Sequence, residues 1–150
     1  MNLKFNRLIS IALISFFTSG CATNVVKTLT SSPDYSQLYL RGVFTWWEAD
    51  PKYKLKELAS EVYATRVELI ADGQPYDFRF ADANWSPDLN CGYSDQQDDQ
   101  VIYLDQAVKA NCSADDQSFQ FTPQETGLYQ FIIDFSGFGS PLVTVQQLTN

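Results

Sequence analysis

The 150-residue chain contains no histidine. That removes the Ser-His-Asp triad, the Cys-His dyad and His-ligated zinc. Three cysteines cannot supply a four-Cys zinc site either. The side chains that then stand out are carboxylates, cysteines and indoles. Asp95, Asp98, Asp99, Asp105, Asp115 and Asp116 lie in and beside the stretch bounded by Cys91 and Cys112. Oxygen ligands at such short spacing can hold calcium. The Asp-x-Asp-x-Asp-Gly run of an EF-hand is absent, so a solvated polar loop is the simpler reading. A carboxylate pair could also hydrolyse a glycosidic bond, but nothing in the sequence marks such a pair at a cleft. The expectation is a non-catalytic protein with no metal and no cofactor.

The indoles are more informative. Trp46 and Trp47 follow one alternating run, and Trp85 follows another. All three sit in loops or at strand ends, where an indole presents a flat apolar face outward. Sugars have apolar C–H faces and a rim of hydroxyls. They stack on indoles while Arg, Asn and Asp side chains bind the rim. The plainer alternative is that these rings cap the ends of a core. Eighteen acidic residues against ten basic ones give a formal charge of −8. Such a balance argues against nucleic acid, whose binding rests on Lys and Arg at phosphates.

The elements that must position these residues read as strands. With 15% aromatic residues the chain has ample material for a core, unlike a disordered chain. Gln37 to Phe44 alternates, with Leu38, Leu40, Gly42 and Phe44 on one face and Tyr39, Arg41 and Val43 on the other. Thr45 to Lys54 is a loop, and Leu55 to Glu61 reads as a helical turn. Tyr63 to Leu69 and Tyr76 to Ala81 alternate on either side of an Asp-Gly turn, which predicts a hairpin. Asp82 to Asp99 is long, polar and turn-rich. Val101 to Leu104, Ser118 to Phe121, Gly127 to Phe135 and Leu142 to Leu148 complete the set. About seven short strands with turns between them predict an all-β fold, an antiparallel β-sandwich over residues 37–150.

The first twenty residues read as an address. Lys4 and Arg7 precede the apolar stretch Leu8 to Phe17, which is too short to span a bilayer. The following Thr18-Ser19-Gly20-Cys21 resembles the bacterial lipobox, with Thr18 where an aliphatic residue is usual. The resemblance implies cleavage of residues 1–20 and acylation of Cys21, leaving residues 21–36 as a lipidated tether. Ala22 stands where Asp would retain a lipoprotein at the inner membrane, which implies the outer membrane, on either face. The plainer alternative is an ordinary signal peptide. With Cys21 lipidated, Cys91 and Cys112 remain, and in an exported domain an even pair predicts a disulfide.

A family resemblance spans residues 37–148. Leu38-Tyr39-Leu40-Arg41-Gly42-Val43-Phe44-Thr45-Trp46-Trp47 is similar to the opening of the starch- and glycogen-binding modules at the N-termini of pullulanases and isoamylases. The stretch from Tyr63 to Leu69, and then from Gly73 to Trp85, is similar to the same family's second motif. Thr126-Gly127-Leu128-Tyr129 resembles its final strand entry. The resemblance implies an immunoglobulin-like sandwich that binds α-glucan. Trp47 and Trp85 would be its stacking residues, Arg79 its hydroxyl-binding cation, and Trp46 a candidate neighbour. Thr45 replaces the family's Asn and Arg79 its Lys, and no catalytic barrel follows, which implies a module standing alone on its anchor. A structural or protein-interaction lipoprotein of the envelope, with no sugar ligand, is the alternative.

Overall fold

The structure, a computed structural model, describes residues 32–149. The signal stretch, Cys21 and most of the tether lie outside the described residues. Ten strands follow in chain order: β1 (Tyr39–Gly42), β2 (Lys56–Ala59), β3 (Val62–Leu69), β4 (Tyr76–Ala81), β5 (Asn90–Tyr93), β6 (Val101–Ile102), β7 (Val108–Asn111), β8 (Phe119–Phe121), β9 (Gly127–Asp134) and β10 (Leu142–Leu148). Among the described residues the helical elements are short 3₁₀ turns at Tyr35–Gln37, Val43–Thr45 and Pro51–Tyr53.

Hydrogen bonding runs β2-β3-β9-β10-β7-β5-β4-β8-β6, with β1 paired to β4. The path folds over so that its two halves face each other across one core. Phe78 of β4 meets Phe131 of β9 edge-on with ring centroids 4.8 Å apart. Phe121 of β8 meets Tyr129 of β9 at 5.3 Å. Period-two alternation made these rings converge: Phe78, Phe80, Tyr129, Phe131 and Ile133 are all buried, while Asp77, Arg79, Leu128, Gln130, Ile132 and Asp134 between or beside them are not. Edge-to-face packing adds to the burial of such large apolar rings. The all-β sandwich expected from the sequence is therefore present, with more strands than the alternation alone disclosed. At its entry Tyr35 stacks on Phe135 with centroids 3.5 Å apart, so packing begins with that residue.

Three expectations are corrected. Leu55 to Glu61 is not a helical turn. Lys56–Ala59 is an edge strand, with Lys56 opposite Ala64 on β3. All four of its side chains are exposed, so it carries no alternation for a sequence reading to find. The runs at Tyr63 to Leu69 and Tyr76 to Ala81 do not form a hairpin. β3 pairs with β2 and β9, whereas β4 pairs with β1, β5 and β8. The connection between them passes from one half of the sandwich to the other. It is closed by the Tyr76 hydroxyl, which accepts from the Ile70 amide at 3.3 Å and donates to the Ile70 carbonyl at 3.2 Å. The polar segment after Trp85 contains a strand, β5, whose Asn90, Cys91 and Gly92 are consecutively buried. Burial on both faces erases the period-two signature.

The expected disulfide joins Cys91 to Cys112. β5 and β7 pair with Gly92 opposite Asn111, which places the two cysteines at the neighbouring cross-strand position. The bond ties together the two strands where the halves of the sandwich connect. Gly92 is required here because a Cβ would collide with the Gln117 carbonyl.

Candidate functional site

The site is built on the outer face of the β1–β4 pair. Leu40, Phe78 and Phe80 point into the core, so Arg41 and Arg79 point away from it. The two arginines are direct cross-strand partners. Like charges in that register repel, and each guanidinium is held by other groups. Arg41 Nε donates to the Trp47 carbonyl at 2.7 Å, and its Nη1 donates to the Asp82 carbonyl at 2.6 Å. Its Cζ lies 3.7 Å from the centroid of the Trp85 ring, a cation–π contact. Arg79 Nε donates to Ser118 Oγ at 3.2 Å, its Nη1 donates to the Asp115 carbonyl, and its Nη2 lies 4.0 Å from Asp116 Oδ1. Burial lowers both guanidinium pKa values from their usual range. Glu48 and Asp82 oppose this at Arg41, and Asp116 and Asp115 oppose it at Arg79. Both side chains stay cationic at neutral pH.

The indoles close over these arginines. Trp47 and Trp85 have ring centroids 6.5 Å apart and planes inclined by 44°, and each is partly exposed. Arg79 Cζ lies 5.2 Å from the Trp85 centroid and 5.6 Å from that of Trp47. Trp46, Trp47 and Trp85 all have left-handed backbone, at φ 52°, 63° and 57°. For bulky residues that conformation costs on the order of 1–3 kcal/mol each, and such strain concentrates at functional sites.

Local hydrogen bonds hold the strained loops. The Trp47 amide donates to the Gly42 carbonyl at 3.0 Å. Buried Thr45 closes the same turn, its hydroxyl accepting from the Gly42 amide and donating to the Gly42 carbonyl, both at 3.1 Å. Across the face, the Asp82 carboxylate accepts from the Ser86 amide at 2.8 Å, the Ser86 hydroxyl at 2.6 Å and the Asn84 amide at 3.1 Å. Burial pushes the Asp82 pKa upward, and the hydrogen bonds from Ser86, Asn84 and Trp85 more than reverse it. The result lies below the usual 3.8.

The structure thus brings Trp47, Arg79 and Trp85 together. Trp46 stands beside them, 87% exposed, and makes no ring contact among the described residues. Arg41 is the member that sequence reasoning missed. Its one signal is a charge inside an otherwise apolar run, from Leu38 to Phe44. The acidic stretch serves its own loop. Asp99 Oδ1 accepts from the Lys109 amide at 2.8 Å, and Asp95 Oδ1 accepts from the Gln97 amide at 2.8 Å and the Asp98 amide at 3.1 Å. A groove of about 290 Å³ adjoins Trp85, lined by Ser86, Pro87, Asn90, Ser113, Ala114 and Asp115.

No family model and no curated protein matches the chain. A solved starch-binding domain, described as the ligand-induced structure of AmyP-SBD, is similar in fold, with a TM-score of 0.55 at 17% sequence identity. The match covers 96% of this chain and 97% of that one. At that identity the likeness shows a shared fold for the described domain.

Proposed function

We propose that the domain is a non-catalytic carbohydrate-binding module that holds an α-glucan, such as glycogen or maltodextrin, on its Trp47–Trp85 face. The indole pair itself carries the reading. Two partly exposed rings are fixed 6.5 Å apart at 44° by strained, hydrogen-bonded loops. Apolar sugar faces stack on such rings, and inclined planes suit a chain whose successive rings turn, as α-linked glucose does. The fold it shares with a starch-binding domain supports the same class of ligand. Arg79 Nη2, the nitrogen its protein partners engage least, is the donor for a sugar hydroxyl. Exposed Trp46 is an outer contact. The lipobox-like Thr18-Ser19-Gly20-Cys21 supports acylation at Cys21, with anchoring to the outer membrane.

Titration with maltoheptaose is the test. Tryptophan emission should quench or shift to the blue, and Trp47→Ala should abolish the change. An unaltered spectrum and melting temperature at millimolar glucan would refute the reading. Trp46, exposed outside the inclined indole pair, favours one other reading, a protein-interaction lipoprotein of the envelope. A stoichiometric protein partner lost in Trp47→Ala, without glycan binding, would establish it.

A further inference from the structure

The groove beside Trp85 has a one-sided hydrogen-bonding character. Ser86 Oγ gives its proton to Asp82 Oδ2 at 2.6 Å, and Ser113 Oγ gives its proton to Asp88 Oδ1 at 2.8 Å. Each hydroxyl therefore offers only lone pairs to a newcomer. Asn90 is 92% buried by its 8% exposure, and its Nδ2 donates to the Ala114 carbonyl at 2.6 Å. Its Oδ1 has no hydrogen-bond partner. An unpartnered buried acceptor is unusual in a folded protein and points to a missing donor. The Asp115 side chain, on the exposed rim, adds a carboxylate. Beyond the protons already given to the protein, the side-chain donors on this lining are the indole N–H of Trp85 and the second proton of Asn90 Nδ2.

We propose that this groove is a second subsite, continuous with the indole pair through Trp85, which takes the next ring of a neutral glycan by accepting protons from its hydroxyls. This rests on the glucan-binding reading above and narrows it. A neutral sugar ring carries several hydroxyl donors and meets the acceptor surface. A uronate ring carries a carboxylate that can only accept, and it would face Asp115, with Asp88 at Ser113 and Asp116 beside it; the one cation near this rim, Arg79, is already engaged by the Asp115 carbonyl and lies 4.0 Å from Asp116 Oδ1. The site thereby selects neutral glucan over acidic polysaccharide. A groove of about 290 Å³ lies at the small end of ligand sites, the scale of a single ring.

The full chain is titrated calorimetrically with maltose, maltoheptaose and a heptameric oligogalacturonate. Maltoheptaose should bind at least tenfold more tightly than maltose, and the oligogalacturonate should not bind. Ser113→Ala and Asp115→Ala should each weaken maltoheptaose about fivefold, the worth of one hydrogen bond, and Ser113→Ala should leave maltose unchanged. Both residues are exposed, so these variants avoid the folding risk of replacing Asn90. Equal affinity for the two glucans, unchanged affinity in both variants, or uronate binding as tight as glucan would overturn the subsite while leaving glucan binding intact. No glucan binding by the unaltered chain would instead overturn the reading on which the subsite rests.

Discussion

Arg41 governs the site at the scale of single residues. It is 5% exposed, and its guanidinium links the two tryptophan loops by donating to the Trp47 and Asp82 carbonyls. Arg41→Ala would leave the Trp47 and Asp82 carbonyls short of a charged donor and Trp85 without its underlying cation. A loss of about 3 kcal/mol in urea unfolding is expected, together with a red shift of tryptophan emission. Arg41→Lys should recover little of it, because an ammonium cannot supply the planar fork. Asp82 makes a second prediction. Its folded pKa is depressed, so its stabilising hydrogen bonds are fully present above the ordinary value of 3.8 and are lost as pH falls through the lower folded value. Tryptophan emission should thus hold constant from neutral pH to about 4 and change below it. That acid transition should be missing in Asp82→Asn. Loop position singled out Trp47 and Trp85, since an indole in a loop is conspicuous, and Arg79 was named only through the family resemblance. Arg41 stayed hidden because its role depends on standing opposite Arg79, and cross-strand register is not written in either strand alone.

Among the elements, alternation in space does not alone decide legibility: β1, buried at Leu40, Arg41 and Gly42 in succession, was read from its sequence, whereas β7, which buries Val108 and Ala110 in alternation, is too short and polar to show it. β3, β4 and β9 alternate and were legible. β2 is wholly exposed, and β5 has three buried residues in succession, so neither carries the period that identifies a strand. The pairing of β4 with β1 rather than β3 was equally silent, because a turn signal states that the chain bends without stating which neighbour it reaches. Exposed Lys56 and Glu57 on β2 suit an edge strand, where charge discourages pairing with another chain. The disulfide acts at this scale. Closing the segment between Cys91 and Cys112, a separation of 21 residues, stabilises the fold by about 3 kcal/mol in the chain-entropy account. Reduction should lower the urea midpoint accordingly. Backbone amides of β5 and β7 should then exchange faster than those of β3 and β9, because the bond spans the first pair only. Gly92→Ala should fail to fold, as its Cβ would occupy the space of the Gln117 carbonyl, and soluble expression reads this directly.

For the whole molecule, charge and attachment are the deciding quantities. A chain of formal charge −8 is repelled by anionic lipid, so the fold by itself should not sediment with phosphatidylglycerol vesicles. Acyl chains at Cys21 would supply the attachment instead. Cys21→Ser should abolish palmitate labelling and release the protein from the membrane fraction. Retention of the Cys21→Ser protein, unlabelled, in that fraction would rule the anchor out.

Arg41 lies against one side of the Trp85 indole, 3.7 Å from the ring centre. A ring so backed has a single side left to offer. Each copy of this domain would then hold one strand at that residue, never two at once. Many copies could decorate a polymer granule without gluing its filaments to one another, and adding the protein to dissolved glucan should leave the viscosity unraised.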